Sequence, residues 1–435
     1  MSATILLILG VLFVLVILSV KHPIYPLMGY LIIYCTYNKY TWWSKQIGDF
    51  LFNQPSFTFA TIFILSAIFN SGKLNWQITK RELLIYVFLF VIVLSSLFFW
   101  ESSDEYMLSK LIKIIVIIFF VLRTITTKKH LDLIIWTISL CAIFLSLKAF
   151  IAPSSYFIDG RLDSLGGPDF QEANGFSAFL SIALICLSFK FLETSFLKKI
   201  LYLPAIVLIL NTIVLCQSRS VMLGLVLAML ICVTISSFKR KQIFLYSVLG
   251  IVLLFVVADQ RFINRIMLFG NSYGDSEIIN SNSNIQTYDQ AKSGRFEFWA
   301  ASVYMFKDYP LGVGLKNFPI YAGNYREIAA GRDPHNTYVL CYSELGAQGF
   351  LLFIMIIATS IIQLYKLLDK SKSSNNLFIL VLSFLLIHVV YFSFYSLTHS
   401  CLYTELLWWI LAIPIVLERI EKNYKSAGVV ATNEN

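Results

Sequence analysis

Residues 199–237 read KILYLPAIVLILNTIVLCQSRSVMLGLVLAMLICVTISS. Two apolar runs, 199–217 and 220–237, are separated only by the tight Gln217-Ser218-Arg219-Ser220 turn. Each run approaches the roughly 20 residues that a helix needs to cross a hydrocarbon core about 30 Å thick. Both therefore read as membrane spans. An arginine between two such spans has no obvious work as an interfacial anchor, which makes Arg219 a functional candidate.

The same reading extends in both directions. Spans are expected near 3–20, 24–38, 55–70, 83–100, 107–122, 131–152, 173–191, 199–217, 220–237, 241–258, 345–365, 377–397 and 402–418. The pair at 24–38 and 55–70 is short, so a total of 12 or 14 is open beside 13. The chain of 435 residues is 58% hydrophobic and 14% charged, with a mean hydropathy of +0.74. A soluble domain carries about 25% charged residues, so lipid must replace water over most of the exterior. The expected fold class is all-α, a polytopic transmembrane helical bundle. Its parts are N-terminal helices over 1–258, a large loop over 259–336, C-terminal helices over 337–420 and a tail over 421–435, together one membrane domain.

The net charge of +9 does not point to nucleic acid, because Lys and Arg fall in short clusters between apolar runs. The seven cysteines, at 35, 141, 186, 216, 232, 341 and 401, show neither metal spacing nor a disulfide framework. They read as small hydrophobes in helices. The first run has no basic segment before it and ends at Lys21-His22 without a small-residue cleavage site. A retained span is expected there, not a signal peptide.

Alternation of the spans puts Lys73/Lys80/Arg81, Arg123/Lys128/Lys129, Lys190/Lys198/Lys199, Lys239/Arg240/Lys241, Lys366/Lys370/Lys372 and Lys422/Lys425 on one side. Glu101/Asp104/Glu105 and Asp159/Asp163/Asp169 fall on the other, with Lys39 and Lys45 as exceptions. The basic side is expected to be cytoplasmic. The opposite face then holds connector 153–172, the Arg219 turn, loop 259–336 and the turn around His399. Short basic loops leave no room for a nucleotide-binding domain, and neither a Walker A nor a dinucleotide fingerprint is present.

Within the long loop, residues 271–293 are rich in Asn, Ser, Gly and Asp and are expected to be irregular. From Arg295 the pattern turns helical: Phe296, Trp299, Ala300, Val303 and Phe306 recur at three- and four-residue spacing until Lys307, Asp308 and Pro310. This predicts a surface helix with its aromatic face on the outer leaflet and Arg295 at its start. Gly312-Val313-Gly314 reads as a tight turn. Asp333-Pro334-His335-Asn336 opens a helix of about 29 residues, or roughly 43 Å. Its first turns should stand at or above the interface, placing His335 where water meets lipid. Asn336 is the expected cap. The tail from Lys425 is expected to be mobile.

Three motifs now stand in order: Leu215-Cys-Gln-Ser-Arg219-Ser; Ser293-Gly-Arg295-Phe-Glu-Phe-Trp running into Phe306-Lys-Asp-Tyr-Pro-Leu-Gly-Val-Gly314-Leu-Lys-Asn-Phe318; and Pro334-His335-Asn336-Thr-Tyr followed by Ser343-Glu-Leu-Gly346. Over roughly residues 150–365 their order and spacing resemble the O-antigen ligase and O-antigen polymerase superfamily of bacterial membrane glycosyltransferases. The resemblance implies a GT-C-like bundle in the inner membrane, with one large extracytoplasmic loop bearing amphipathic helices. It implies transfer of a glycan from an undecaprenyl-diphosphate carrier to an acceptor: lipid A core, another glycan or a protein hydroxyl. No nucleotide sugar, metal or other cofactor is implied. By resemblance Arg219 and Arg295 hold the diphosphate, His335 is the base, and Arg161 is a looser diphosphate-binding match.

Chemistry asks for those residue types. Breaking the C1–O bond releases a diphosphate next to lipid, and without a metal that charge falls to side chains. Arginine stays protonated and grips phosphate oxygens with a planar fork. Histidine has the unperturbed pKa nearest neutrality, suited to take the acceptor's proton. Each has a plainer reading: Arg219 as an interface anchor, Arg295 as a solubilising charge, His335 as a helix-start residue. His399 is weighed mainly as structural and secondarily as supporting, with Asn336 and Glu344. His388 lies mid-span and reads as packing, although an intramembrane histidine is a candidate by default. Glu344 and Glu405 are expected to pair with Arg or Lys or to sit in a hydrated cavity. A transporter of the same lipid would gather polar residues at mid-membrane in broken helices; here they gather at one face. Ligase and polymerase need the same three side chains, with a lean toward the ligase. Oligomeric state is not legible.

Overall fold

The computed structural model describes residues 3–41, 44, 55–98, 104–158, 160–235, 284–371 and 375–433. The span expected at 241–258, the basic group Lys239/Arg240/Lys241 and the polar stretch 271–283 lie outside the described residues. The remaining expected spans each coincide with a helix: α1 (Ala3–Leu18), α2 (Ile24–Thr36), α3 (Pro55–Phe69), α4 (Lys80–Phe98), α5 (Asp104–Thr124), α6 (Lys128–Phe150), α7 (Ala173–Glu193), α8 (Phe196–Cys216), α9 (Arg219–Ile235), α11 (Thr337–Lys370), α12 (Asn375–Val390) and α13 (Glu405–Asn433). Between α9 and α11 runs α10 (Asn284–Asp308). The strands β1 (Phe157–Ile158) and β2 (Arg161–Leu162) form a small antiparallel hairpin in connector 153–172.

Among the described residues six helical stretches are long and apolar enough to cross a membrane, and four shorter helices are also apolar. Large apolar side chains face outward, among them Val20, Phe69 and Leu201 at 80%, 83% and 77% exposure. A surface of that kind is suited to lipid, not to water. The centre of the bundle is α7 and the stretch Asn376–Thr398 that α12 opens, 78% and 83% of whose apolar residue positions are buried, against 33% for α4. The protein is thus an all-α polytopic membrane protein. Where a mobile tail was expected from Lys425, α13 continues to Asn433; that segment contains no proline to stop it.

Contacts sort the connectors into two ends. Lys73 Nζ donates to the Lys21 carbonyl at 2.6 Å, Arg81 pairs with Glu418, and Lys128 and Lys190 share Asp132. Arg123 and Arg419 both pair with the fully buried Glu82. At the other end Asn38 Nδ2 donates to the Ser164 and Gly166 carbonyls. Asp169 there accepts from Tyr34, Lys110 and the Glu405 N–H.

Candidate functional site

At this second, less basic end the turn between α8 and α9 is as short as its sequence implies. Gln217 takes a left-handed conformation (φ 50°, ψ 38°) and α9 opens at Arg219. The hairpin holds the turn from one side. Gln217 Nε2 donates to the Gly160 carbonyl at 3.1 Å. Arg161 Nε donates to the Cys216 carbonyl at 3.2 Å, and its Nη2 to Asn174 Oδ1 at 2.9 Å. A guanidinium suits the electronegative end of α8, whose last carbonyls have no intrahelical partner. Arg161 therefore ties the Arg219 turn to the start of α7. The Arg219 side chain is half-buried.

The start of α11 is built from Asp333 to Thr337. His335 has φ 49°, a conformation that costs a non-glycine residue on the order of 1–3 kcal/mol. Its N–H donates to Asp333 Oδ1 at 2.8 Å, which holds the bend. Asn336 caps α11 as expected, accepting from the Tyr338 and Val339 N–H groups at 2.9 and 3.1 Å. Three further bonds stitch the 399–401 turn to this base. Asn336 N–H donates to Ser400 Oγ at 3.2 Å, Thr337 Oγ1 to the His399 carbonyl at 2.6 Å, and Cys401 N–H to Thr337 Oγ1 at 3.0 Å.

That stitching brings His399 beside His335. The His399 ring stacks on Tyr395 at 5.0 Å, and its Nδ1 lies 3.8 Å from Glu172 Oε2. Burial holds the His399 imidazole below the ordinary histidine range; Glu172 and Asp333 oppose the shift, and His335 and Arg295 add to it. These five groups, from α10, the α11 base, the 399 turn and the residue before α7, share one electrostatic neighbourhood. Glu172 stands two residues from Asn174, Arg161's partner, so the start of α7 joins this cluster to the Arg219 turn.

Helix α10 corrects two expectations. It is already helical at Asn284, so Arg295 lies within the helix and not at its start. The single Gly294 costs a helix only about 1 kcal/mol, too little to break it. Toward the protein α10 turns Phe298, Ala301, Ser302 and Met305. Of the expected aromatic face, Phe296 and Val303 point outward at 61% and 57% exposure, while Phe306 stacks on Tyr342 at 4.5 Å.

The Gly-Val-Gly segment does structural work against α11. Helix α11 is interrupted at Gly346 (φ 65°, ψ −168°). There Val313 N–H donates to the Ser343 carbonyl at 3.0 Å, Gly314 N–H to the Glu344 carbonyl at 2.9 Å, and Ala347 N–H to the Pro310 carbonyl at 3.2 Å. The backbones approach so closely that a Cβ on Gly312 would lie 2.4 Å from the Glu344 oxygen, and one on Gly346 would lie 2.5 Å from the Pro310 oxygen. The two motifs are thus complementary halves of one contact, and the groups freed by the kink are paired.

For the buried carboxylates the first of the two expectations, a bond from Arg or Lys, gives way to other donors. Glu344 accepts from Tyr403 Oη and from the Phe318 N–H. Glu405 accepts from Tyr30 Oη at 2.6 Å and Trp409 Nε1 at 2.8 Å. Neutral donors, not Arg or Lys, supply these bonds. Glu344 is spent within the fold, not offered to the cluster around His335. His388 is fully buried and its Nδ1 donates to the Phe384 carbonyl at 2.8 Å, in keeping with packing.

Sequence reasoning passed over Glu172, Asn174 and the role of Asp333. Asp333, two residues before a histidine and next to proline, carried a usable signal: aspartate bonds the backbone two residues on. Glu172 carried none, because its contact with His399 spans about half of the chain. No curated protein matches this chain. One family description does, and its range takes in Arg219, Arg295 and His335 together: residues 204–354 match the O-antigen ligase family model, which supports the O-antigen ligase and polymerase superfamily for this protein.

Proposed function

We propose that the protein transfers a glycan from a polyprenyl-diphosphate carrier to an acceptor hydroxyl at the less basic end of the bundle, the extracytoplasmic face of the inner membrane by the positive-inside rule. In the reaction the acceptor oxygen attacks C1 of the donor sugar. The C1–O bond to the diphosphate breaks and its electron pair passes to the phosphate oxygen. The acceptor proton passes to the His335 imidazole. Arg219 and Arg295 face the leaving diphosphate and stabilise charge as it develops. Arg219 adds to the positive end of α9, where the first N–H groups favour an anion. Arg161 keeps the Arg219 turn in place through its bonds to Cys216 and Asn174. His399 and Glu172 flank the base and set the local field.

The observation that supports this reading best is the strained His335 backbone, held by Asp333 and tied through Asn336 and Thr337 to the His399–Cys401 turn. Strain of this kind persists where the surrounding structure over-determines it, commonly at functional sites. We take the ligase form first, because the matching family is that of O-antigen ligases. The test gives the purified protein a polyprenyl-diphosphate-linked glycan with two rival acceptors, lipid A core and a second lipid-linked unit, and weighs the product. Glycan on lipid A core supports the ligase. A longer lipid-linked chain makes the protein a polymerase. Neither product, from protein shown to be folded, removes the transfer reading.

A further inference from the structure

Among the described residues four that are not glycine hold a left-handed backbone: Ser164, Gln217, Lys316 and His335, with φ of 61°, 50°, 60° and 49°. All four stand at the less basic end. Two of them bond the fold with their side chains: Ser164 Oγ donates to Asp163 Oδ1 at 3.4 Å, and Gln217 Nε2 to the Gly160 carbonyl. The His335 imidazole and the Lys316 ammonium have no hydrogen-bond partner among the described residues. Strain at a residue whose polar end the fold leaves open is a mark of function. For His335 the proposed reaction supplies that function. We infer, on the transfer reading, that Lys316 is a further substrate-binding residue, its ammonium taking a phosphate group of the donor or of the acceptor.

Folding does not ask for lysine at this position. Asn317 N–H closes a turn on the Gly314 carbonyl at 3.3 Å, and Lys316 is the third residue of that turn. A turn with φ above zero there favours glycine or asparagine. The turn is anchored on both sides: Gly314 N–H donates to the Glu344 carbonyl at 2.9 Å, and Phe318 N–H to Glu344 Oε1 at 3.2 Å. With glycine at 316 the same bonds would form with less strain. From Gly312 to Phe318 every residue except Lys316 is buried, so the lysine is the one side chain of this segment that a ligand can reach.

Tyr403 sets where the ammonium stands. Lys316 Nζ lies 5.9 Å from the centre of the Tyr403 ring. Glu344 attracts the ammonium from nearby, but its two oxygens already accept from Tyr403 Oη and the Phe318 N–H. Among the described residues no carboxylate forms an ion pair with Lys316. Tyr403 belongs to the segment that begins at His399, whose first residues are bonded to the α11 base. The four steps from His399 to Tyr403 span at most about 14 Å. Lys316 therefore flanks the same short segment as His335 and His399. The two arginines suit the forked grip on the leaving diphosphate, whereas a lysine binds a phosphoryl oxygen as a point charge.

Steady-state transfer by the full-length protein, with donor and acceptor varied in turn, tests the role. Lys316→Gly should raise the KM of one substrate about tenfold, the ratio carried by one charge-assisted hydrogen bond, with kcat nearly unchanged. It should melt no lower than the unaltered protein, because glycine relieves the backbone. Lys316→Arg keeps the charge and should restore most of the affinity. A rise in the donor KM assigns the phosphate to the donor. A rise in the acceptor KM with phosphorylated but not dephosphorylated lipid A core assigns it to the acceptor. Unchanged KM for both substrates overturns the role. A lysine kept only to balance Glu344 predicts an earlier melt for Lys316→Gly with both KM values in place, and that outcome overturns it too. If the unaltered protein makes no product, the transfer reading falls separately. Binding then decides for Lys316, with undecaprenyl diphosphate set against undecaprenol and the two forms of core against each other. A preference for phosphate that Lys316→Gly removes supports the role, and no difference between the two proteins overturns it.

Discussion

The two ends of the bundle use arginine against carboxylate in opposite ways. At the basic end Glu82 receives Arg123 on one oxygen and Arg419 on the other. Tyr86 Oη adds a bond at 2.7 Å, and Arg419 also donates to the Leu122 and Gln77 carbonyls. Glu82 and Arg123 are fully buried, so this assembly closes on itself and ties α4, α5 and α13 together. At the other end Arg295, His335 and Asp333 are only partly covered, and the Glu172 side chain is 66% exposed beside a His399 ring that is itself largely buried. Similar groups there form a rim that solvent and ligand can reach. Burial and closure, not residue type, separate the ionic clasp from the proposed site.

The largest effect should break the open end without touching the closed one. His335→Ala removes the proposed base and should slow transfer about 10²–10⁴-fold, with donor binding and membrane content unchanged. Single-turnover assays with a binding measurement alongside would show this, and an unchanged rate would assign proton removal to another group. Next come Arg219→Ala and Arg295→Ala, each expected to lower transfer about 10²–10³-fold in protein that still melts normally. Glu82→Ala should do the reverse. It strands two buried guanidiniums, costs about 3–5 kcal/mol, and lowers the melting temperature and the yield. If Arg295→Ala melts early and Glu82→Ala does not, the assignment of clasp and site is inverted. A chelator should leave turnover unaltered, since guanidiniums are proposed to carry the diphosphate charge; loss of activity with rescue by a divalent cation would bring a metal into the mechanism.

What could be read in advance was local. Apolar runs near 20 residues placed the described spans, the Gln217–Ser220 turn came out where it was expected, and Asn336 capped α11 as its side chain predicts. Arg219, Arg295 and His335 were candidates because cations and an imidazole between apolar spans need a reason. Most of the misreadings share one cause. The docking of Gly312 on the α11 kink, the donors to Glu344 and Glu405, and the Glu172–His399 contact depend on partners remote in the chain, whereas the start of α10 was missed by giving one glycine too much weight. Periodicity reports which face of a helix is apolar. It does not say which remote residue covers that face: on α10 Phe296 and Val303 of the expected lipid-facing stripe point outward, but Phe306 stacks on Tyr342.

The smallest expected effect tests the field of the open end directly. His399 is held below the ordinary histidine pKa by burial, while the Glu172 carboxylate pulls it upward and so stabilises the protonated imidazole. Glu172→Gln removes that pull, so the imidazole must lose its proton at a still lower pH. Arg295→Gln removes a positive neighbour and must move it the other way. The shifts can be followed by the imidazole resonances of protein labelled in histidine, with His399→Asn assigning the peak. A His399 whose titration ignores both substitutions would mean that the two flanking elements, the residue before α7 and helix α10, do not meet at His399. The open end would then be two separate surfaces, and the diphosphate and the base would have no common place to act.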